Sequence, residues 1–105
     1  MLNQIVLVGK VKEKPIVREA SNKVKIANLV LEVDRSYKNA KGEVETDLFN
    51  VTLWRNIAED FSDSCEIGNI IGVKGRLQSN NFLKEDTVYY RSDIIAEKLS
   101  ILDEN

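Results

Sequence analysis

The sequence predicts an all-β chain with one short helix, closed as a five-stranded Greek-key barrel. Three observations carry this. Apolar residues alternate with polar ones in five runs, separated by polar turn clusters. One segment alone, between the third and fourth runs, repeats its apolar residues at helical spacing. With 105 residues, 43% hydrophobic and 30% charged, the chain can fill one core and not two.

The first predicted strand runs from Leu2 to Val11. Ile5, Leu7 and Val11 share one parity; Leu2, Gln4, Val6, Val8 and Lys10 share the other. Lys14-Pro15 and Ser21-Asn22 punctuate the way to a second strand, Val24 to Val33, with Ala27, Leu29, Leu31 and Val33 on one face. Arg35 to Gly42 is a polar, Lys-rich loop. Leu48 to Arg55 is the third strand, Asn69 to Gln78 the fourth and Thr87 to Leu99 the fifth, with Ser79 to Asp86 as a polar hairpin loop. The helix lies before the fourth strand. Asn56 is positioned to cap it, with Glu59 three residues on as in a capping box, early acids to suit the dipole and Gly68 as a stop signal. Ile57, Ala58, Phe61 and Cys65 fall on its apolar side. This order of elements suits a barrel of the OB type, the helix plugging one end; another small β-barrel or sandwich is the alternative. Residues 1–102 form the domain and 103–105 a short C-terminal end.

Several function classes are disfavoured by composition. No apolar run reaches the ~18 residues of a membrane helix, and Met1 leads straight into a strand-like run, with no signal peptide expected. A single cysteine, Cys65, excludes a disulfide framework and fits a reducing cytoplasm; it reads as a core residue. Without histidine there is no usual general base and no common zinc site. The acids Glu43, Glu45 and Asp47 alternate along a strand edge, a solubility pattern more than a catalytic one. No enzyme, cofactor or metal is expected.

Net charge is −2, which excludes a nucleic-acid binder recognised by bulk basicity. The charge is nonetheless uneven. Residues 1–41 hold nine Lys/Arg against four Asp/Glu, whereas residues 42–105 hold six against thirteen. Two ordinary solvated surfaces explain this, and so does one surface built for a polyanion.

The third strand is the sharper clue. Phe49, Val51 and Leu53 share the core face, so Asn50, Thr52 and Trp54 share the other, with Leu48. The only tryptophan is thus in register with the polar face and needs a cover: a nucleobase, a partner subunit or a loop of its own chain. Tyr37 lies in the basic loop among Arg35, Lys38 and Lys41; Phe82 lies in the second loop beside Lys84. Lys74 and Arg76 share a face of the fourth strand, and Arg55 and Arg91 extend the basic track. Exposed rings beside cations are what single-stranded nucleic acid requires, rings for bases and cations for phosphates.

The chain resembles the bacterial single-stranded DNA-binding proteins. The resemblance rests on an ordered set: Leu2-Asn3-Gln4-Ile5-Val6-Leu7-Val8-Gly9-Lys10-Val11, Pro15, Arg18, Ala27-Asn28-Leu29-Val30-Leu31, Arg35-Ser36-Tyr37, Asp47, Phe49-Asn50-Val51, Trp54-Arg55 with Ala58-Glu59, Gly68, Val73-Lys74-Gly75-Arg76-Leu77-Gln78-Ser79 and Ile94-Ile95-Ala96-Glu97. It implies an OB barrel that coats and protects single strands without reading their sequence, with stacking by Tyr37, Trp54 and Phe82. A fourth stacking position, usually aromatic, is Leu48 here. It also implies a homotetramer, or a dimer, joined through the first strand, Asn3, Gln4, Ile5, Val6, Leu7 and Val8. Family members usually continue into a flexible tail with an acidic tip that recruits other proteins; this sequence stops at Leu102-Asp103-Glu104-Asn105, and such recruitment is not assumed. The competing expectation is an OB-type protein-interaction module, with Trp54 and Leu48 in a protein interface.

Overall fold

A computed structural model describes residues 1–102; the predicted end segment 103–105 lies outside the described residues. Eight strands and one helix run in the order β1 (Ile5–Glu13), β2 (Arg18–Glu19), β3 (Lys25–Lys38), β4 (Val44–Trp54), α1 (Arg55–Ser64), β5 (Ile70–Ser79), β6 (Phe82–Lys84), β7 (Thr87–Tyr89) and β8 (Ser92–Ile101). The sheet order β1-β5-β8-β4-β3 closes on itself because β1 also pairs with β3. The two ends of β1 serve different partners: Ile5 to Lys10 pair with β5, and Lys10 to Glu13 turn to β3. The only parallel contact among the described residues, β4 with β8, completes the ring. This is the expected five-stranded barrel; β2 is a two-residue appendage on β3.

The period-two pattern explains the core. Leu29, Leu31, Val51 and Leu53 point inward from neighbouring strands and are fully buried, with Val11, Ile71 and Val73 from the other side. Ala58, Phe61 and Cys65 of α1 join this cluster, so the helix packs against the barrel as its spacing requires. Burial raises the Cys65 thiol pKa, keeping it protonated and inert.

Several boundaries differ from expectation, the following for a local reason. The helix starts at Arg55, not after Asn56: β4 stays extended to Trp54, and Arg55 makes the reversal at φ +57°. Asn56 is already inside the first turn, so no side chain caps the helix and no acid occupies that turn. The helix ends at Ser64, and Gly68 belongs instead to the turn that feeds β5. The polar segment 79–86 is no simple loop, and Thr87 does not open the fifth barrel strand. Phe82–Lys84 and Thr87–Tyr89 pair as a separate hairpin across Glu85-Asp86, and β8 begins only at Ser92.

Two arms leave the barrel. One is the far end of the β3–β4 hairpin, which continues to Lys38 where a loop was predicted from Arg35; the other is β6–β7. Together they raise the radius of gyration to 15.5 Å, against about 13 Å for a compact chain of this length. Glu85 and Asp86 both adopt positive φ, +50° and +64°, as a two-residue hairpin turn of the primed type demands. Glu85 is ill suited to it and Asp86 only tolerates it, and an isolated two-stranded hairpin is marginal in water. Replacing them by Asn-Gly is expected to stabilise the arm by about 1 kcal/mol, read as roughly fivefold slower hydrogen exchange at the Leu83 and Val88 amides.

Candidate nucleic-acid interface

The outer face of β3 and β4 is set by register. Ile26 opposes Trp54, Asn28 opposes Thr52, Val30 opposes Asn50 and Glu32 opposes Leu48. All eight share the parity opposite to the core. Trp54 is therefore on the outside, as its position in the sequence implied, 36% exposed beside buried Ile26. Leu48 stands on the same face, 58% exposed.

Trp54 lines an open groove of about 330 Å³ with Arg55, Arg76 and Gln78. Glu97 is the acid on its rim. Arg76 Nη1 is buried here with no hydrogen-bond partner among the described residues. A buried guanidinium N–H left unpaired costs about 1–3 kcal/mol, so the groove favours an anion that pairs with it. The uncapped N-terminus of α1 begins at the same place and adds free backbone N–H groups.

The other predicted residues fall into separate groups. Tyr37, Lys38 and Lys41 sit together at the tip of the β3–β4 arm, Tyr37 65% exposed. Ten residues of β4 separate this tip from Trp54, about 34 Å of strand. Arg35, predicted to meet phosphate, is held by carboxylates. Its Nε and Nη2 donate to Asp47 at 2.9 to 3.3 Å, and its Nη1 donates to Glu45. Hydrogen bonding to Arg35 holds the Asp47 carboxyl below its ordinary 3.8, and the same bond raises the guanidinium further. A depressed carboxylate pKa means that the brace is complete above the ordinary value and is lost as pH falls through the lowered one. Replacing both acids, Glu45→Gln with Asp47→Asn, is expected to free Arg35. Affinity for an oligo-dT should then rise severalfold at low salt, with the gain fading at high salt, measured by titration at two salt concentrations.

On the β6–β7 arm, Phe82 is not an open platform. Its ring stacks on Tyr89 at 5.1 Å between centroids and 12° between planes, and the Arg91 guanidinium lies 5.2 Å from its centre. Lys84 is on the same arm. The ring surface offered there is thus shared, and Tyr90 beside it is 81% exposed. Tyr89 and Tyr90 are functional candidates that alternation hides, because it runs Thr87 to Leu99 into one strand where the structure has β7 and β8. The acidic pair Glu85-Asp86 and three consecutive large residues, Tyr89-Tyr90-Arg91, are the signal that a break lies there. Lys74 stands apart from Trp54, beside Val6 and Lys98 on the outer face of β5.

The first strand divides its predicted interface residues. Ile5 and Leu7 pack on the chain's own core, whereas Val6 and Val8 point out and are exposed. Asn3 is used internally, its amide donating to the Leu77 carbonyl at 2.7 Å and accepting from the Leu77 N–H at 2.9 Å. Gln4 is exposed beside it.

This barrel, with an outward tryptophan set against arginines, has relatives. The profile of the Single-strand binding protein family matches residues 2–102. The chain belongs to that family. It is 38% identical over 104 residues to Single-stranded DNA-binding protein B of Bacillus subtilis (strain 168), covering 98% of this chain and 92% of that protein. It is 36% identical over 105 residues to a single-stranded DNA-binding protein of Oceanobacillus iheyensis, where it spans 98% of itself but 65% of the relative. Among solved structures, the small single-stranded DNA-binding protein of Streptomyces coelicolor superposes with a TM-score of 0.71 at 27% identity, over 96% of this chain and 95% of that one. A deletion mutant of the Thermus aquaticus protein gives 0.78 at 26% identity, over 97% and 51%. The family fold is thus the OB barrel described above. No helix among the described residues is long and apolar enough to cross a membrane.

Proposed function

We propose that this chain binds single-stranded DNA without reading its sequence, coating and protecting it during replication, recombination or repair. One observation carries the reading: a part-exposed tryptophan and a buried arginine N–H with no partner among the described residues share one groove. A base stacks on Trp54 while the adjoining phosphate meets Arg76 and Arg55. The strand then continues to two further stations. One is Tyr37 with Lys38 and Lys41; the other is the Phe82–Tyr89 stack with Lys84 and Arg91. Lys74 serves a phosphate at the edge of this track, and Arg35 braces the β3–β4 arm. The protein binds and performs no chemistry, and acts in the cytoplasm on the nucleoid.

Assembly follows from β1. Along Ile5 to Gly9 this strand bonds to β5 on one side only, since its pairing with β3 begins at Lys10. A free edge beside exposed Val6 and Val8 suits antiparallel pairing with a second copy, and two such pairs make a tetramer.

The test is an oligo-dT titration followed by Trp54 emission at two salt concentrations, with the mass measured in solution. Quenching, affinity that falls with salt and a tetrameric mass are expected; unchanged emission and no salt-sensitive binding would overturn the reading. Arg76→Ala should flatten the slope of log K against log salt by about 0.7, the share of one phosphate on a single strand.

A further inference from the structure

A groove larger than the one at Trp54 is present on the chain. It lies further along the same outer face, about 480 Å³, with Asn28, Val30 and Asn50 as its floor. Register makes Asn28 and Asn50 diagonal neighbours across the β3–β4 ladder, about 7–8 Å apart. Both are exposed, and neither side-chain amide takes part in the hydrogen bonds that asparagines make elsewhere among the described residues. Asn50 is four residues from Trp54 on one face, about 13 Å, so a strand stacked on Trp54 passes over it.

The charge of this groove argues against a phosphate. Lys14 on its wall is already held by Glu66 at 3.4 Å, and Glu13 faces the opening with a carboxylate. Arg18 remains, so the walls nearly balance. An uncharged ligand edge that both donates and accepts fits two free amides, one carboxylate and one guanidinium. Among the parts of a DNA strand, only the bases carry such an edge; sugar and phosphate do not.

We propose that this groove holds a nucleobase by its hydrogen-bonding edge, gripped by the amides of Asn28 and Asn50, each of which offers both a donor and an acceptor and so suits any base. Stacking at Trp54 engages the face of a base; this groove engages the edge. The inference rests on the single-stranded DNA reading above and adds a second kind of contact to it.

The probe is an oligo-dT in which every thymine carries a methyl group on N3. The methyl blocks the edge while leaving rings and phosphates in place. The full chain is expected to bind it about fivefold more weakly than plain oligo-dT, or worse, the lower end of what a paired amide–base contact discriminates. The double variant Asn28→Ala with Asn50→Ala should bind both oligomers within twofold of each other, with Trp54 quenching and the salt slope retained. A second double variant, Asn28→Val with Asn50→Val, preserves strand propensity and should behave alike. Equal affinity of the unaltered chain for both oligomers, with quenching intact, overturns this proposal alone. So does a preference that survives in both variants. Absence of any binding or quenching with plain oligo-dT overturns the DNA reading and this proposal with it.

Discussion

Trp54→Ala is expected to weaken binding of oligo-dT about tenfold or more, about 1–3 kcal/mol for one lost stack. Because the variant loses the only tryptophan, the measurement uses a fluorescein-labelled oligomer and anisotropy. The loss has a distinguishing signature. Trp54 carries no charge, so the dependence on salt should stay as it was while the affinity drops at every salt concentration. Arg76→Ala does the reverse, changing the slope. The ring also covers part of Ile26, buried beside it on the outer face, so truncation exposes some apolar surface. Trp54→Phe separates the two roles: it restores most of the cover and much of the stack. An alanine variant that folds normally and binds as tightly as the parent would leave Trp54 to a protein interface instead.

The barrel could be read from the sequence because its signal is local. Alternation in Val24 to Val33 and Leu48 to Arg55 names Leu29, Leu31, Val51 and Leu53 as the core, and all four are fully buried. The same alternation placed Trp54 outside without any knowledge of its neighbours. What could not be read depends on which residues meet across strands. Arg35 looks free in the sequence, yet the β3–β4 ladder, which pairs Val33 with Asp47 and Asp34 with Thr46, brings it against Asp47 and Glu45. Asn28 and Asn50 are unremarkable singly and become a pair only through the β3–β4 ladder. The β6–β7 hairpin is not legible because its turn uses Glu85-Asp86 where Asn-Gly is the recognisable pair. The helix start is not legible because a left-handed Arg55, not a capping residue, makes the turn.

Gly75→Ala is expected to cost the most stability of any single methyl group considered, about 3 kcal/mol, read as a fall in the urea midpoint with little change in its slope. Gly75 is buried in β5 between β1 and β8, opposite Ile5 and Ala96. A Cβ there would land on the Ile95 carbonyl oxygen, closer than non-bonded atoms can approach, and 3.2 Å from the Ala96 Cα. Both obstacles are backbone, so no side chain can swing aside. The close approach has a structural cause. Pairing shifts between Lys74 and Gly75, where β8 carries one extra residue, and three successive residues, Ile94, Ile95 and Ala96, are all buried there. That irregularity also sets where Arg76 emerges, one residue on, into the groove with Trp54. Stability and binding are therefore coupled at this position. Under conditions where Gly75→Ala remains folded, its salt slope should fall toward that of Arg76→Ala, because the guanidinium no longer meets the phosphate beside the stacked base. Gly72 is the control: it lies in the same strand, and a Cβ there meets only the flexible Leu102 side chain at 3.5 Å. Gly72→Ala should leave both the urea midpoint and the salt slope nearly unchanged.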